Sequence, residues 1–543
     1  MFKINVPENN ENYALFERYL TKSFSFAITG LTTILRLFLI TKIKKITDKK
    51  ILFITSTEQS ALKYQNDLLK AFNEKTELIP FQNISMYESV SPNRYDYAEQ
   101  VRILTEKPDI VICPVKTLLE KFPTENFYKE NSITLKIGDE IDVKDISQKF
   151  IDLGYKRSTM VSDIGEFSIR GDIIDFYSLD KHPTRIELWG DEIVDIRYFN
   201  NETQKSIEKL SSANIMPMYK FTIKNGIPDE IKPEDEDGYF EGIEIYQNYF
   251  NQNLVSILDY FKDYIIVFDE ISEIYSKYEF TDKNYEEQLQ ENLKLGLNRD
   301  LKGRNHIPFE DFIQKTAGFV KIGLNNFLDS ETDEIVEFNT QTVQNFGAKL
   351  DDIANYINSK QDYDIIIATD YPERVKEILS EKNIFDVEYN ENISSHGSVL
   401  EDFKTVIITD RELFNKRTKE ITSTKRSYYK EKPEYIENIN DIKEGEYVVH
   451  SIHGVGIYKG LSQQEIDGQL KDYLTIEYAN KDRLHIPAEQ INLLVRYRGS
   501  GALKPKLSRM GGKDWENTKT RVKKEVEQVA YDLLRLYAKR KMQ

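Results

Sequence analysis

The sequence predicts a multidomain α/β protein with a β-rich insert and a small antiparallel β unit, and three observations lead there. Residues 1–122 alternate short apolar runs with amphipathic segments, residues 123–215 change to short strands of mixed polarity, and strand patterning returns after residue 441. In the first part, "SFSFAITG", "ILFITS" and "DIVICPV" read as strands. "EQSALKYQNDLLKAF" and "KTLLEKF" read as the helices between them, so that βαβ units would build a parallel sheet. In the second part, "EFSIRGDIIDFYSL" and "TRIELWGDEIVDIRYF" are punctuated by Gly-Asp turns. Apolar runs resume with "DYIIVFDEISEI", Asp263 to Ile274, which returns the chain to the first module over 216–345. "DYDIIIATD" and "FKTVIITDRELF" then mark a separate α/β unit at 346–425. Asn415 to Asn440 is polar and basic and reads as a linker, with 426–440 as its core. In "YLTIEYAN" the period-two pattern of Leu474, Ile476 and Tyr478 marks a half-buried strand of the unit at 441–498. Residues 499–543 end in a long helix, with Val522, Val526, Val529, Leu533 and Leu536 on one stripe.

A chain of 543 residues exceeds one ordinary core, and 40% hydrophobic with 30% charged residues suits a folded, soluble protein. Cys113 sits in an apolar run, so no disulfide forms within the chain and the thiol is expected to be buried. The start has no basic-then-apolar signal, and Arg36 interrupts the one membrane candidate, Ser23 to Ile40, so a cytoplasmic location away from membranes is expected. Net charge is −17 overall; the last stretch, 496–543, carries +9, which leaves −26 for residues 1–495. So acidic a body does not grip a phosphate backbone.

Two motifs test for chemistry. "ITGLTTILRLF" is placed like a phosphate loop, yet Leu35 stands where the second glycine belongs, Arg36 where the lysine belongs, and Leu37 where a magnesium-binding hydroxyl belongs. Gly30 alone fits, and Asp269 and Glu270, which end the strand "YIIVF", look like an acidic pair left without a phosphate cradle. No catalytic residue, no cofactor and no metal are therefore expected in this chain. In "VVHSIHGVGIYKG" (448–460), His450 and His453 lack the further ligands that zinc needs, and no helix follows "GVG". This leaves a hairpin turn with Gly454 and Gly456 in unusual dihedrals and Val448, Val449, Val455 and Ile457 in the core.

Residues 441–540, "GEYVVHSIHGVGIYKGL…DYLTIEYANKDRLHIPAEQINLLVRYRG" and the "LSRMGGKDWENTKTRVKKEVEQVAYDLLRLYAKR" that follows, resemble the polymerase-interacting domain and linker helix of the bacterial transcription-repair coupling factors, the Mfd family. "ISMYESVSPNRYDYAEQVRIL" and "GYKRSTMVSDIGEFSIRGDIIDFYSL…TRIELWGDEIVDIRYFNNETQKS" are similar to the family's UvrB-homologous module, which lacks the ATP site that UvrB keeps. The resemblance implies a degenerate UvrB-like α/β module with a UvrA-binding insert, then a Tudor- or SH3-like barrel that binds RNA polymerase through its beta subunit. Arg157, Arg170, Arg185, Glu187 and Trp189 map onto the UvrA surface. The last three alternate along one strand and share a face, an arrangement that also suits a plain salt-bridge lattice. Leu461, Gln463, Gln464, Glu465 and Ile466 map onto the polymerase-contacting edge, where main-chain pairing tolerates the departure at Gln464. In full-length members ATP, Mg²⁺ and double-stranded DNA are handled by motor domains absent from this chain, which is read as a monomeric amino-terminal recognition portion. A helicase subunit and a freestanding CarD-like regulator are the competing readings.

Overall fold

The computed structural model describes residues 1–81, 91–201, 203–224, 226–232, 238–294, 301–326, 334–347, 349–414, 442–450, 453–466, 469–487, 494–496 and 507–508. The expected linker at 415–440 and the helix of 499–543 lie outside the described residues, except for 507–508. Two compact units emerge, one of residues 1–81, 99–125 and 253–421, the other of 82–98, 126–252 and 422–543.

The first unit is built on seven strands in the order Ile335–Glu337, Phe26–Thr29, Lys321–Leu324, Ile265–Asp269, Ile51–Thr55, Ile110–Pro114 and Glu77–Leu78, all parallel. The central runs "FAIT", "ILFIT", "IVICP" and "IIVFD" are buried at every position, as strands covered on both faces must be. Cys113 lies in this sheet, fully buried, and burial pushes its thiol well up. A second sheet of five strands runs Thr340–Thr342, Ser398–Leu400, Thr405–Thr409, Asp364–Ala368 and Glu388–Asn390. On one face it carries a core of its own, with Phe346, Ile353, Ile367, Val406 and Ile408, as the unit expected at 346–425 would, but it is not separate from the first sheet. It begins with Thr340, and Ile366, Ala368, Leu400, Phe403 and Ile407 share one continuous core with Phe16, Phe38 and Phe338 of the first sheet region. Buried Asp67 seals the join by accepting the Ser394 N–H at 2.8 Å and the Ser395 hydroxyl at 2.6 Å.

The insert unit holds a six-stranded sheet in the order Ser206–Lys209, Glu192–Phe199, Thr184–Trp189, Ile173–Phe176, Glu166–Arg170 and Lys156–Arg157. Its core face carries Phe167, Ile174, Phe176, Ile186, Leu188, Ile193 and Ile196, with Ile146 and Phe150 of the helix Val143–Asp152 in the same core. The expected end at residue 215 falls short. Tyr219 stacks on Tyr239 at 4.3 Å, Phe221 stacks on Phe250 at 4.6 Å, and all four join this core, so this stretch of the second unit runs from 126 to 252 and the first unit resumes at 253.

The carboxy-terminal sheet is antiparallel, in the order Arg483–Pro487, Gln469–Glu477, Gly454–Ile466, Tyr447–His450 and Leu494–Arg496. Leu474, Ile476 and Tyr478 all point into its core. No helix among the described residues is long and apolar enough to cross a membrane.

Candidate partner interfaces and the closed nucleotide site

The loop after Phe26–Thr29 is occupied by the chain itself. Gly30 has φ +72°, and a Cβ there would lie 1.8 Å from the Phe338 carbonyl oxygen, so glycine is needed for the approach of residue 338, not of a phosphate. The Thr340 hydroxyl accepts from the Thr32 N–H at 2.8 Å and donates to the Gly30 carbonyl at 2.6 Å, using up a loop amide that a phosphate would need. Leu35 and Leu37 are wholly buried on the helix Thr33–Thr47. Between them Arg36, 4% exposed, forms ion pairs with both Asp269 and Glu270 and donates to Asn326 at 2.7 Å. Burial alone would lower the guanidinium's proton affinity, but Asp269 and Glu270 more than offset it, and Arg36 stays charged. The acidic pair therefore has its cation built in. Neither the loop nor the pair fits a nucleotide with its Mg²⁺.

On the insert sheet the polar face is a lattice. Ser168, Asp175, Arg185, Arg197 and Lys209 lie in one cross-strand row. Asp175, 1% exposed, accepts from Arg170 at 2.7 Å and from Arg185 at 2.7 and 2.9 Å. Arg185 also donates to Gln204 at 3.0 Å and lies 4.5 Å above the Phe199 ring. Arg197 pairs with both Glu187 and Asp195 and holds Glu187 below the usual carboxylate range.

Arg185, Glu187 and Trp189 do alternate along one strand, but their exposure rises steeply: Arg185 is buried, Glu187 half-buried and Trp189 81% exposed. Trp189 opens a two-residue Gly190-Asp191 turn, with Gly190 at φ +64°. Arg170 opens the matching Gly171-Asp172 turn of the neighbouring hairpin. Arg157 is not brought into the lattice. It is exposed on the edge strand, in register with the core residue Phe167. Asp175 and Arg197, which organise the face, escaped the sequence reading, although a carboxylate inside the apolar "DIIDF" is the signal that something must pair with it.

In the carboxy-terminal sheet the strand Gly454–Ile466 has two different halves. Gly454 to Ile457 pair with Tyr447–His450, whereas Leu461, Ser462, Gln463, Gln464, Glu465 and Ile466 pair only with Gln469–Glu477 among the described strands. An irregularity between Tyr458 and Leu461, with Gly460 at φ +105°, separates the halves, and the outer edge of the second one meets no strand among the described residues. Leu461 on that half is 49% exposed.

The stretch before it corrects one expectation. Gly454 has φ +79°, but Gly456 is required for packing, since a Cβ there would lie 2.5 Å from Ile476. Val448 and Val455 are buried, Val449 and Ile457 only half so. His450 is buried, its Nδ1 accepts the His453 N–H at 3.3 Å, and the two rings lie 4.8 Å apart. Burial, then the neighbouring His453, pushes His450 down from 6.5 to about 4. Unfolding frees it to bind a proton, so its contribution is complete above pH 6.5 and is lost as pH falls through about 4. The loss should approach ~3 kcal/mol. Amide exchange of residues 447–457 followed from pH 7 to 4 checks this, and replacing His450 with Phe should flatten the profile.

Against known families, residues 133–221 match the UvrB interaction domain and residues 442–498 the CarD-like/TRCF RID domain. The transcription-repair-coupling factors of Staphylococcus aureus (strain bovine RF122) and Staphylococcus haemolyticus (strain JCSC1435) are each 28% identical over 95% of this chain. The chain spans about half the length of these curated relatives, 49% in both cases. The two domain matches, and a similarity that runs over 95% of the chain, make it similar to about half of these transcription-repair-coupling factors.

Proposed function

We propose that this chain is the partner-recognition portion of a coupling factor in transcription-coupled nucleotide excision repair. It binds stalled RNA polymerase through the polymerase's beta subunit and recruits UvrA to the damaged strand. The observation that carries the reading is the presence in one chain of a UvrB interaction domain and a CarD-like/TRCF RID domain. It acts in the cytoplasm as a monomer and needs no cofactor of its own. ATP, Mg²⁺ and duplex DNA fall to motor domains in the part of full-length members that this chain does not cover. An Arg36 that fills its own acidic site supports that division.

UvrA is assigned to the insert's polar face around Arg170 and Trp189, and polymerase to the open edge Leu461–Ile466. Separate binding measurements with purified RNA polymerase and purified UvrA test both assignments, and failure to bind either protein would remove the reading. Arg170→Ala should weaken UvrA about 30-fold, the usual loss at a charged anchor, and leave polymerase binding intact. Trp189→Ala should do the same without loss of stability, because so exposed an indole packs nothing in the fold. Equal losses for both partners would mean misfolding instead.

A further inference from the structure

Five residues map to the UvrA surface by resemblance, but the geometry divides their labour. Arg170 is exposed at a hairpin tip, with one nitrogen held by Asp175 at 2.7 Å and the rest of its side chain, 39% accessible, facing solvent. Arg185 is different: its side chain is 11% accessible, its Nε and Nη2 both donate to the same Asp175, Nη2 also donates to Gln204, and the guanidinium lies over the Phe199 ring. A guanidinium so buried, with two of its three nitrogens committed inside the sheet, has little left to offer a partner. It does have a use where it is. Asp175 is almost completely buried, and a buried carboxylate is tolerated only when paired. Arg185 supplies that pairing and fixes the carboxylate, and Asp175 in turn fixes Arg170.

We propose that Asp175 is the positioning residue of this interface: clamped by Arg185, it holds the Arg170 guanidinium as a pre-oriented fork for a carboxylate or backbone carbonyl of the partner protein, and Arg185 itself makes no contact with the partner. The inference rests on the UvrA reading of this face. Its physical basis is that a long, flexible arginine loses rotamer freedom on binding, and a side chain already held in one pose loses less. Lysine cannot replace such a fork, because its ammonium is a point charge without the planar pair of donors.

The test is a double-mutant cycle on the full chain, with UvrA affinity and thermal unfolding both measured for Arg170→Ala, Asp175→Asn and the double variant. Arg170→Ala should lose about 30-fold and Asp175→Asn about 5- to 10-fold, and the double variant should bind within about twofold of Arg170→Ala alone. Multiplying losses would overturn the inference, because Asp175 or Arg185 would then contribute without Arg170. So would an Asp175→Asn that binds like the unaltered chain while Arg170→Ala is weakened. Arg170→Lys, at an exposed position that puts folding at little risk, provides the second arm: it should stay at least about fivefold weaker than arginine. Full affinity with lysine would show that charge alone is read, and orientation would be refuted. If Arg170→Ala binds UvrA normally, the UvrA reading of the face fails and the inference falls with it. That failure is distinct, because it appears in the first variant before the coupling is measured.

Discussion

Arg36→Ala should lower the unfolding free energy of the first unit by about 3–5 kcal/mol, the usual cost of removing one partner from a buried ion pair. The reason lies in what would be left behind. Asp269 and Glu270 end a central strand, and Arg36 forms ion pairs with both from a helix on which Leu35, Leu37, Leu39 and Ile40 are wholly buried. Burial already raises the Asp269 carboxyl above its ordinary range even with the guanidinium beside it. Without Arg36, a buried carboxylate would have to ionise unpaired or take up a proton. Denaturant unfolding should therefore show a lower midpoint, and the gap to the unaltered chain should narrow at acid pH as the stranded carboxyls become neutral. Arg36→Lys should recover part of the loss, because one ammonium cannot serve two carboxylates and Asn326 together. Neither variant should acquire ATP binding, since Thr340 and the Phe338 backbone still fill the loop. A stability unchanged in Arg36→Ala would show that the ion pairs contribute nothing, and an ATP affinity gained would reopen the nucleotide site.

Arg36 also shows where reading the sequence stops. That the loop could not be a working phosphate site was plain from Leu35, Arg36 and Leu37, because each lacks an atom or a freedom that the motif needs. That Arg36 would itself occupy the acidic pair was not legible, because its partners are more than 230 residues away along the chain. The same division recurs. "ILFIT" and "IIVFD" were readable as strands because burial on both faces demands continuous apolar residues. The insert's true end was not, because Tyr219, Phe221 and Tyr239 stack from irregular backbone, and Phe250 from a four-residue helix, without any period. Nor was the fusion of the second sheet's core with the first, since an apolar sheet face states that it must be covered without stating by what. On the insert's polar face, strand alternation placed Arg185, Glu187 and Trp189 together, and both readings of that cluster hold in part. Arg185 and Glu187 are members of a salt-bridge lattice, whereas Trp189 stands outside it, exposed.

Gln464→Pro should reduce polymerase binding by at least about 100-fold, while Gln464→Ala stays within about threefold of the unaltered chain. The strand's second half has one neighbour, Gln469–Glu477, with Gln464 opposite Lys471, and its other edge meets no described strand. A partner that adds a strand there bonds to main-chain N–H and C=O groups, so the identity of the side chain matters less than the presence of the donor. Proline removes one N–H and places its ring in the ladder: either the lost bond is the partner's, or the hairpin that presents the edge is broken. Because successive N–H groups point to opposite edges, Gln463→Pro is the companion variant: one of the two breaks the hairpin's own ladder and the other only the partner's. Both should abolish polymerase binding, but amide exchange along 469–477 should rise in only one of them. UvrA affinity should stay unchanged in every case, since the face assigned to it lies on a different sheet. Normal polymerase binding by both proline variants would remove the open edge as the contact, and an alanine variant as impaired as the proline one would mean that the Gln464 side chain, and not its backbone, is what polymerase reads.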